Sequence, residues 1–336
     1  MICVLDIGGA NLKAATSDGQ SASRPFPLWK QPQQLAESLK SLLASFADCS
    51  TIAITMTGEL ADCYPDKATG VKEIIQASIE ACHPKSPLVY LVDGRVVDTQ
   101  AALSQPYLAA ASNWHALASW CGQFVPEGGG LLLDIGSTTC DIIPLIDGRC
   151  AAQGNSDPSR LQHGELLYTG VERSPVCAVI QDAPYRERLC PLAQELFATM
   201  RDVNLVLRHL PEAPDDCDTA DGRPATIAMA VARLGRLFCA DGSEFDEADA
   251  ILLAKHAFRR QVERLAQSIR KVMFTLPELP KTVVLSGHGD FLVKPALESL
   301  HLPLPTMSLA EKLGPMLARC APAYALARLI AEKGVV

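Results

Sequence analysis

Two distant stretches of the chain carry one hydrophobic pattern. Near the start, Val4-Leu5-Asp6-Ile7-Gly8-Gly9-Ala10-Asn11 runs through Lys13 and Ala15 to Asp18-Gly19. Further on, Leu132-Leu133-Asp134-Ile135-Gly136-Ser137-Thr138-Thr139 runs through Ile142 and Ile143 to Asp147-Gly148. Each is an apolar strand ending in Asp-Ile-Gly, a turn of small residues, a second apolar run and an Asp-Gly turn that favours a hairpin. The repeat predicts two related lobes, each opening with antiparallel strands. Helical stripes follow at residues 33–46, 71–82, 114–124, 225–238, 248–274 and 323–332. Apolar, β-branched runs at 51–56, 88–92 and 282–285 predict further strands. Strands alternating with helices give an α/β class, two lobes around a central cleft. Gly128-Gly129-Gly130 marks the boundary, so the lobes are 1–127 and 128–336. Residues 155–222, rich in Pro, Asp and Arg, read as an insertion in the second lobe that leans over the cleft.

Composition narrows the function more than the fold. With 336 residues, the chain has room for about two cores. Thirty Lys and Arg against 38 Asp and Glu leave a net charge of −8, which offers no general field for nucleic acid or anionic lipid. Aromatic residues are only 5%, too few for a base-stacking platform. No apolar run approaches the roughly 18 residues of a membrane span, and Asp6 interrupts the first one. Twelve scattered cysteines without a C-x-x-C pair read as reduced thiols. The expectation is a cytoplasmic protein, monomer or homo-oligomer, acting on something small.

The two small-residue turns carry the chemistry. Gly8, Gly9 and Asn11 in one, and Gly136, Ser137, Thr138 and Thr139 in the other, bring backbone N–H groups and hydroxyls close to a ligand, as phosphate oxygens require. Lys13 supplies a compact charge for a phosphate. Asp6 and Asp134, at matched strand ends, are the candidate Mg²⁺ ligands. Two such loops from two lobes would clamp a polyphosphate. A third segment, Ser286-Gly287-His288-Gly289, follows the 282–285 strand and is a candidate nucleotide or substrate loop.

The two Asp-Ile-Gly loops and the Ser-Gly-His-Gly segment resemble the sugar kinase, Hsp70 and actin superfamily. More narrowly the chain resembles the hydantoinase A/oxoprolinase-like group, in particular its tetrahydromethanopterin-linked members. The stretches that carry this are Thr55-Met56-Thr57-Gly58-Glu59-Leu60, Asn113-Trp114, Asp134-Ile135-Gly136-Ser137-Thr138-Thr139, Gly164-Glu165-Leu166-Leu167-Tyr168-Thr169-Gly170-Val171, Glu195-Leu196-Phe197-Ala198-Thr199 and Thr219-Ala220-Asp221-Gly222-Arg223-Pro224. The resemblance implies a two-lobed, ribonuclease H-like fold. It also implies a methanofuran-type synthase reaction, in which a furanylmethyl diphosphate meets a phenol or amine acceptor and pyrophosphate leaves. Two departures matter. Cys140 stands where the group has a third Thr, and Ser286-Gly287-His288-Gly289 is not the Gly-Gly pair of adenosine sites, which weighs against ATP and leaves the diphosphate.

Single residues complete the expectation. Glu59, after a strand and a Thr-Gly turn, is placed to accept a phenol or amine proton. Asp141 alternates onto the face of Thr139 and is a second catalytic candidate. His163 is the proton-carrier candidate and Arg160 a fork for phosphate oxygens. Asp202 and Asp221 in the insertion are candidate substrate or Mg²⁺ contacts. No G-x-S-x-G, P-loop, H-E-x-x-H or long Rossmann glycine pattern occurs. ATP-dependent chemistry, as a kinase or in the manner of oxoprolinases, is the alternative. A non-catalytic nucleotide-gated partner protein is the second.

Overall fold

The computed structural model describes residues 1–46 and 49–333. The first sheet contains β1 (Ile2–Ile7), β2 (Asn11–Thr16), β3 (Ser21–Pro25), β4 (Thr51–Met56), β5 (Leu88–Tyr90) and β6 (Val96–Val97), in the order β3-β2-β1-β4-β5-β6. The chain continues through β7 (Gly129–Ile135), β8 (Cys140–Ile146), β9 (Arg149–Cys150) and β10 (Leu166–Leu167). A separate hairpin, β11 (Asp182–Tyr185) with β12 (Arg188–Pro191), precedes β13 (Thr282–Gly287) and β14 (Thr306–Ser308). The second sheet runs β10-β8-β7-β13-β14, with β9 also on β8.

The two sheets are built alike. β1 pairs antiparallel with β2 on one side and parallel with β4 on the other; β7 does the same with β8 and β13. Central strands of this kind are covered on both faces, which is why they read as unbroken apolar runs. Cys3, Leu5 and Ile7 enter one core while Val4 enters another, as period-two alternation dictates. Leu131 and Leu133 likewise separate from Leu132. The Asp-Gly turns do not close the first hairpin of each lobe; they close a second one, β2 onto β3 and β8 onto β9. At Asp147 and Gly148 both φ angles are positive, 47° and 78°, as a tight two-residue turn needs.

Helices Leu35–Leu43 and Lys67–Cys82 cover the outer face of the first sheet, and Glu247–Met273 with Val293–Ser299 covers that of the second. Between the sheets lie helices Asn113–Cys121 and Ala321–Lys333, whose Trp114, Leu117, Trp120, Leu326 and Ile330 share one core with Val4, Leu132 and Val284. The layers are thus helix, sheet, helix, sheet, helix. The closing helix, grouped by sequence with the second lobe, packs against β1 and β2 of the first sheet. All twelve cysteines are free.

The insertion differs from its sequence outline. A separate core runs from Val176 to Ala257, so it reaches well past residue 222 and takes in helix Ile227–Arg236 and the start of Glu247–Met273. Asp202 and Asp221, expected at a substrate or cation, are corrected here: neither lines the central cleft. Both hold Arg233, which is fully buried, at 2.8 Å and 3.1 Å. Asp202 also completes the capping box of helix Met200–Val206, and Asp221 binds Arg223 and Arg236. Burial works against ionisation of Asp221, but the Arg223 amide and the Arg233 and Arg223 guanidiniums outweigh it and hold the carboxyl down to about 2.

Arg233→Met should therefore strand the buried Asp202, while Asp221 keeps Arg223 and Arg236, and destabilise this core by about 3–5 kcal/mol. Hydrogen exchange should quicken in helices Met200–Val206 and Ile227–Arg236 while β1 and β7 stay protected. Equal loss of protection in β1 would contradict a separate core.

Candidate active site

The Gly8 amide donates to the Asn11 carbonyl at 3.0 Å, and the Gly136 amide donates to the Thr139 carbonyl at 2.9 Å. The same four-residue turn thus follows β1 and β7. Among the described residues, the amides of Gly9, Ala10, Ser137 and Thr138 donate to no protein acceptor. Each turn is backed by a second segment at close quarters. Thr57 and Gly58 donate to the Ile7 carbonyl, and a β-carbon on Gly58 would lie 3.2 Å from the Gly8 carbonyl carbon. Glu172 and Arg173 donate to the Ser137 carbonyl at 3.0 Å, and a β-carbon on Gly170 would lie 2.4 Å from the Ser137 carbonyl carbon.

Both turns open into one cavity of about 520 Å³. Gly8, Gly9, Asn11, Lys13, Gly136, Ser137, Thr138, Thr139, Asp6, Asp134, Asp141, Glu59 and Arg160 all line it. The sequence had brought these thirteen forward one by one, and the fold assembles them on one surface. Asp6 stands opposite Lys13 in the β1–β2 register and accepts from Asn113 Nδ2 at 3.2 Å. Asp134 stands opposite Asp141 in the β7–β8 register. Arg160 is 1% exposed, bonds Asp141 at 2.6 Å and stacks on Trp114 with its guanidinium carbon 3.9 Å from the ring centre.

Charge in this cleft is unbalanced. Burial raises the Asp6 carboxyl above its ordinary range, with Lys13 and Asn113 pulling the other way. Burial and the neighbouring Asp141 push Asp134 up to about 6, against Lys13 and Ser286. Burial raises Asp141 too, with Arg160 opposing it. The three carboxylates, one on β1 and two on the adjoining β7 and β8, thus meet too little positive charge. Glu59 is 1% exposed, its Oε2 lacks a partner, and burial raises its carboxyl, with Asp157 adding to the effect. It is no solvated loop carboxylate. Helix Lys67–Cys82 presses on its backbone, since a β-carbon on Gly70 would lie 1.9 Å from the Glu59 carbonyl oxygen.

The remaining expectations place differently. Helix Asp157–His163 delivers Arg160 to Asp141 and ends at His163, which does not line the cavity. Ser286, Gly287, His288 and Gly289 do not line it either. Gly287 has φ +85°, and a β-carbon there would meet the Ile135 carbonyl at 2.1 Å; one on Gly289 would meet Ile135 and Val171 side chains at 2.4 and 2.6 Å. These glycines let the loop pack on the end of β7. His288 bonds Glu172 at 2.9 Å, so the loop supports the segment behind Ser137. Sequence reasoning gave no role to Asn113, Trp114, Gly70, Gly170, Trp29 or Arg173. Asn113-Trp114 stood out only as a shared dipeptide, and the rest gain meaning through contacts far along the chain.

The hydantoinase/oxoprolinase family model matches residues 50–333. The chain belongs to the hydantoinase/oxoprolinase family. This family member is 30% identical over 338 residues to the (4-{4-[2-(gamma-L-glutamylamino)ethyl]phenoxymethyl}furan-2-yl)methanamine synthase of Methanocaldococcus jannaschii, covering 99% of this chain and 98% of that one. It is 29% identical to the enzyme of the same name from Methanococcus vannielii over 202 residues, 60% of this chain and 90% of the other. Among solved structures, a polyphosphate/ATP-glucomannokinase from Arthrobacter sp. strain KM is 14% identical at a TM-score of 0.43, over 96% and 98% of the chains. An archaeal actin homologue in complex with ADP is 14% identical at 0.42, over 99% of each. The two sheets of matching order around one cleft are the two-lobed α/β arrangement expected from sequence. No described helix is long and apolar enough to cross a membrane.

Burial and Asp141 push the Asp134 carboxyl of the folded protein up to about 6 from an ordinary 3.8. Folded protein then holds a proton that unfolded chain has already lost, so stability should fall as pH rises from about 4 to 6 without divalent cation. Asp134→Asn should flatten that fall and raise Tm at pH 8 by a few degrees. An unchanged pH profile of Tm would refute the buried charge.

Proposed function

We propose that this chain is a transferase of methanofuran-type cofactor synthesis, serving tetrahydromethanopterin-linked one-carbon metabolism. In this reading it condenses a furanylmethyl diphosphate with a phenol or amine acceptor and releases pyrophosphate. The observation that carries it is the pair of facing turns whose four amides lack a protein acceptor. Unpaired donors at that density call for an anion with several oxygens, and two such nests suit two linked phosphates. The name of the Methanocaldococcus jannaschii relative supports the substrate class, since it describes a phenol oxygen joined to a furan-bearing methylene.

The amides of Gly9, Ala10, Ser137 and Thr138 hold the diphosphate, with Lys13 and the hydroxyls of Ser137, Thr138 and Thr139 beside them. Arg160 adds positive charge from the wall and keeps Asp141 in place. The acceptor oxygen forms its bond to the methylene as the bond from that methylene to the diphosphate oxygen breaks; the electron pair leaves with pyrophosphate. Glu59 accepts the proton of the acceptor, and its burial, by raising the carboxyl, improves it as a base. Closing the cleft around the reacting carbon positions the acceptor and keeps water from competing.

Oxygen-only donors and a shortage of positive charge fit Mg²⁺ at Asp6 and Asp134. Among the described residues no group of three or more His, Cys, Asp or Glu is disposed to enclose a metal, so phosphate oxygens and water would complete the shell. Bound there, Mg²⁺ supplies charge neutralisation to the departing diphosphate.

Pyrophosphate release from a synthetic aminomethyl-furanylmethyl diphosphate, with a panel of phenols and amines, tests the reading. Release should require acceptor and Mg²⁺, and Glu59→Gln should lower kcat by about 10²–10⁴-fold. Pyrophosphate with Mg²⁺ should raise the Tm of the wild type and not of Asp6→Asn. Stabilisation by ATP far beyond that by pyrophosphate, with no acceptor-dependent release, would favour the ATP-dependent alternative instead.

A further inference from the structure

The floor of the cleft is polar, but its mouth is not. Of the large apolar side chains left exposed among the described residues, Leu60 at 59% and Tyr168 at 68% line the cavity, one from each lobe. Leu60 directly follows Glu59, and Tyr168 lies in the segment that continues to Gly170 behind the second turn. Trp29 lines the same mouth from the first lobe. The guanidinium carbon of Arg173, from the second lobe, sits 4.7 Å from the Trp29 ring centre, and Lys30 Nζ sits 6.0 Å from it. Among the described residues neither Arg173 nor Lys30 pairs with a carboxylate. The acidic groups on this rim are Asp62 and Asp157, and Asp157 is engaged by Lys67 at 3.7 Å. The Arg173 amide is fixed to the Ser137 carbonyl, so its side chain starts from a held position.

We propose that this mouth is the acceptor subsite, specific for an aromatic ring that carries a carboxylate: Leu60 and Tyr168 take the ring, and Arg173, steadied on Trp29, takes the carboxylate. The assignment rests on the transferase reading for its acceptor, and it adds the residues that choose among acceptors. A phenol whose oxygen reaches Glu59 at the floor lays its ring across Leu60 at the mouth, because both residues line the one cavity. The far end of such a molecule then points to the mouth. An unpaired guanidinium there favours a planar anion that accepts two parallel hydrogen bonds. A neutral or cationic tail gains nothing from it.

Calorimetric titration of the full chain with 3-(4-hydroxyphenyl)propionate, 4-ethylphenol and tyramine, in the presence of Mg²⁺ and pyrophosphate, separates the parts. The wild type should bind the propionate at least about tenfold tighter than 4-ethylphenol, and tyramine more weakly still. Arg173→Gln, at an exposed position, should bring the first two affinities together, and Arg173→Glu should turn the preference toward tyramine. Leu60→Ser should weaken the propionate and 4-ethylphenol by a similar factor. A wild type that treats the propionate and 4-ethylphenol alike, or a preference that survives Arg173→Gln, would overturn the carboxylate site. Unchanged binding in Leu60→Ser would overturn the ring site. Because these titrations need no turnover, absence of pyrophosphate release alongside the expected preferences would fell the transferase reading and leave the subsite standing.

Discussion

Four backbone amides that meet no acceptor among the described residues stand on the floor of one polar cleft, where an anion can satisfy them together. Much of the surrounding architecture serves to hold these donors open. Each turn is closed by one hydrogen bond across its base and braced from behind by a segment that comes close because a glycine omits its β-carbon. Gly58 does this for the first turn and Gly170 for the second. His288 and Glu172 extend the support one layer further out, and burial that would raise Glu172 is outweighed by that hydrogen bond, which leaves it below its ordinary range. The loop expected from sequence to contact nucleotide or substrate thus also braces the segment behind Ser137.

The carboxylates set the second constraint. Asp6, Asp134 and Asp141 sit at the ends of strands whose apolar neighbours bury them, and the cleft answers with Lys13 and Arg160. Positive charge is short by design of the fold, since the matching of the two hairpins puts an aspartate at the same place twice. A cation arriving with an anionic substrate completes both deficits at once, and neither partner alone does so. The proposed Mg²⁺ and diphosphate would answer the two deficits together.

Much of this was legible in the chain because it is local. The Asp-Ile-Gly repeat predicted both turns, the hydroxyls of Ser137 to Thr139 and the two lobes, since each signal lies within a dozen residues. Strand 51–56 was found at its observed limits because its β-branched and apolar residues form one short run, closed by Thr57-Gly58. The parts that escaped depend on distant contacts. Nothing near Asp202 or Asp221 in sequence announces Arg233, and the two aspartates read as free ligands until the fold supplies it. Asn113 reaches Asp6 from a helix more than a hundred residues along, and Gly70 matters only because the Glu59 backbone lies against it. The core around the insertion reaches past residue 222 for the same reason: it takes in the start of helix Glu247–Met273, whose stripe reads as one continuous element.

The claim on which this account depends is that both turns grip one diphosphate through their free amides. Amide NMR spectra of ¹⁵N-labelled protein, recorded while pyrophosphate is added in the presence of Mg²⁺, test it directly. The signals of Gly9, Ala10, Ser137 and Thr138 should move together and saturate with a single affinity. Movement confined to one turn, or four signals that stay in place while pyrophosphate binds, would contradict it.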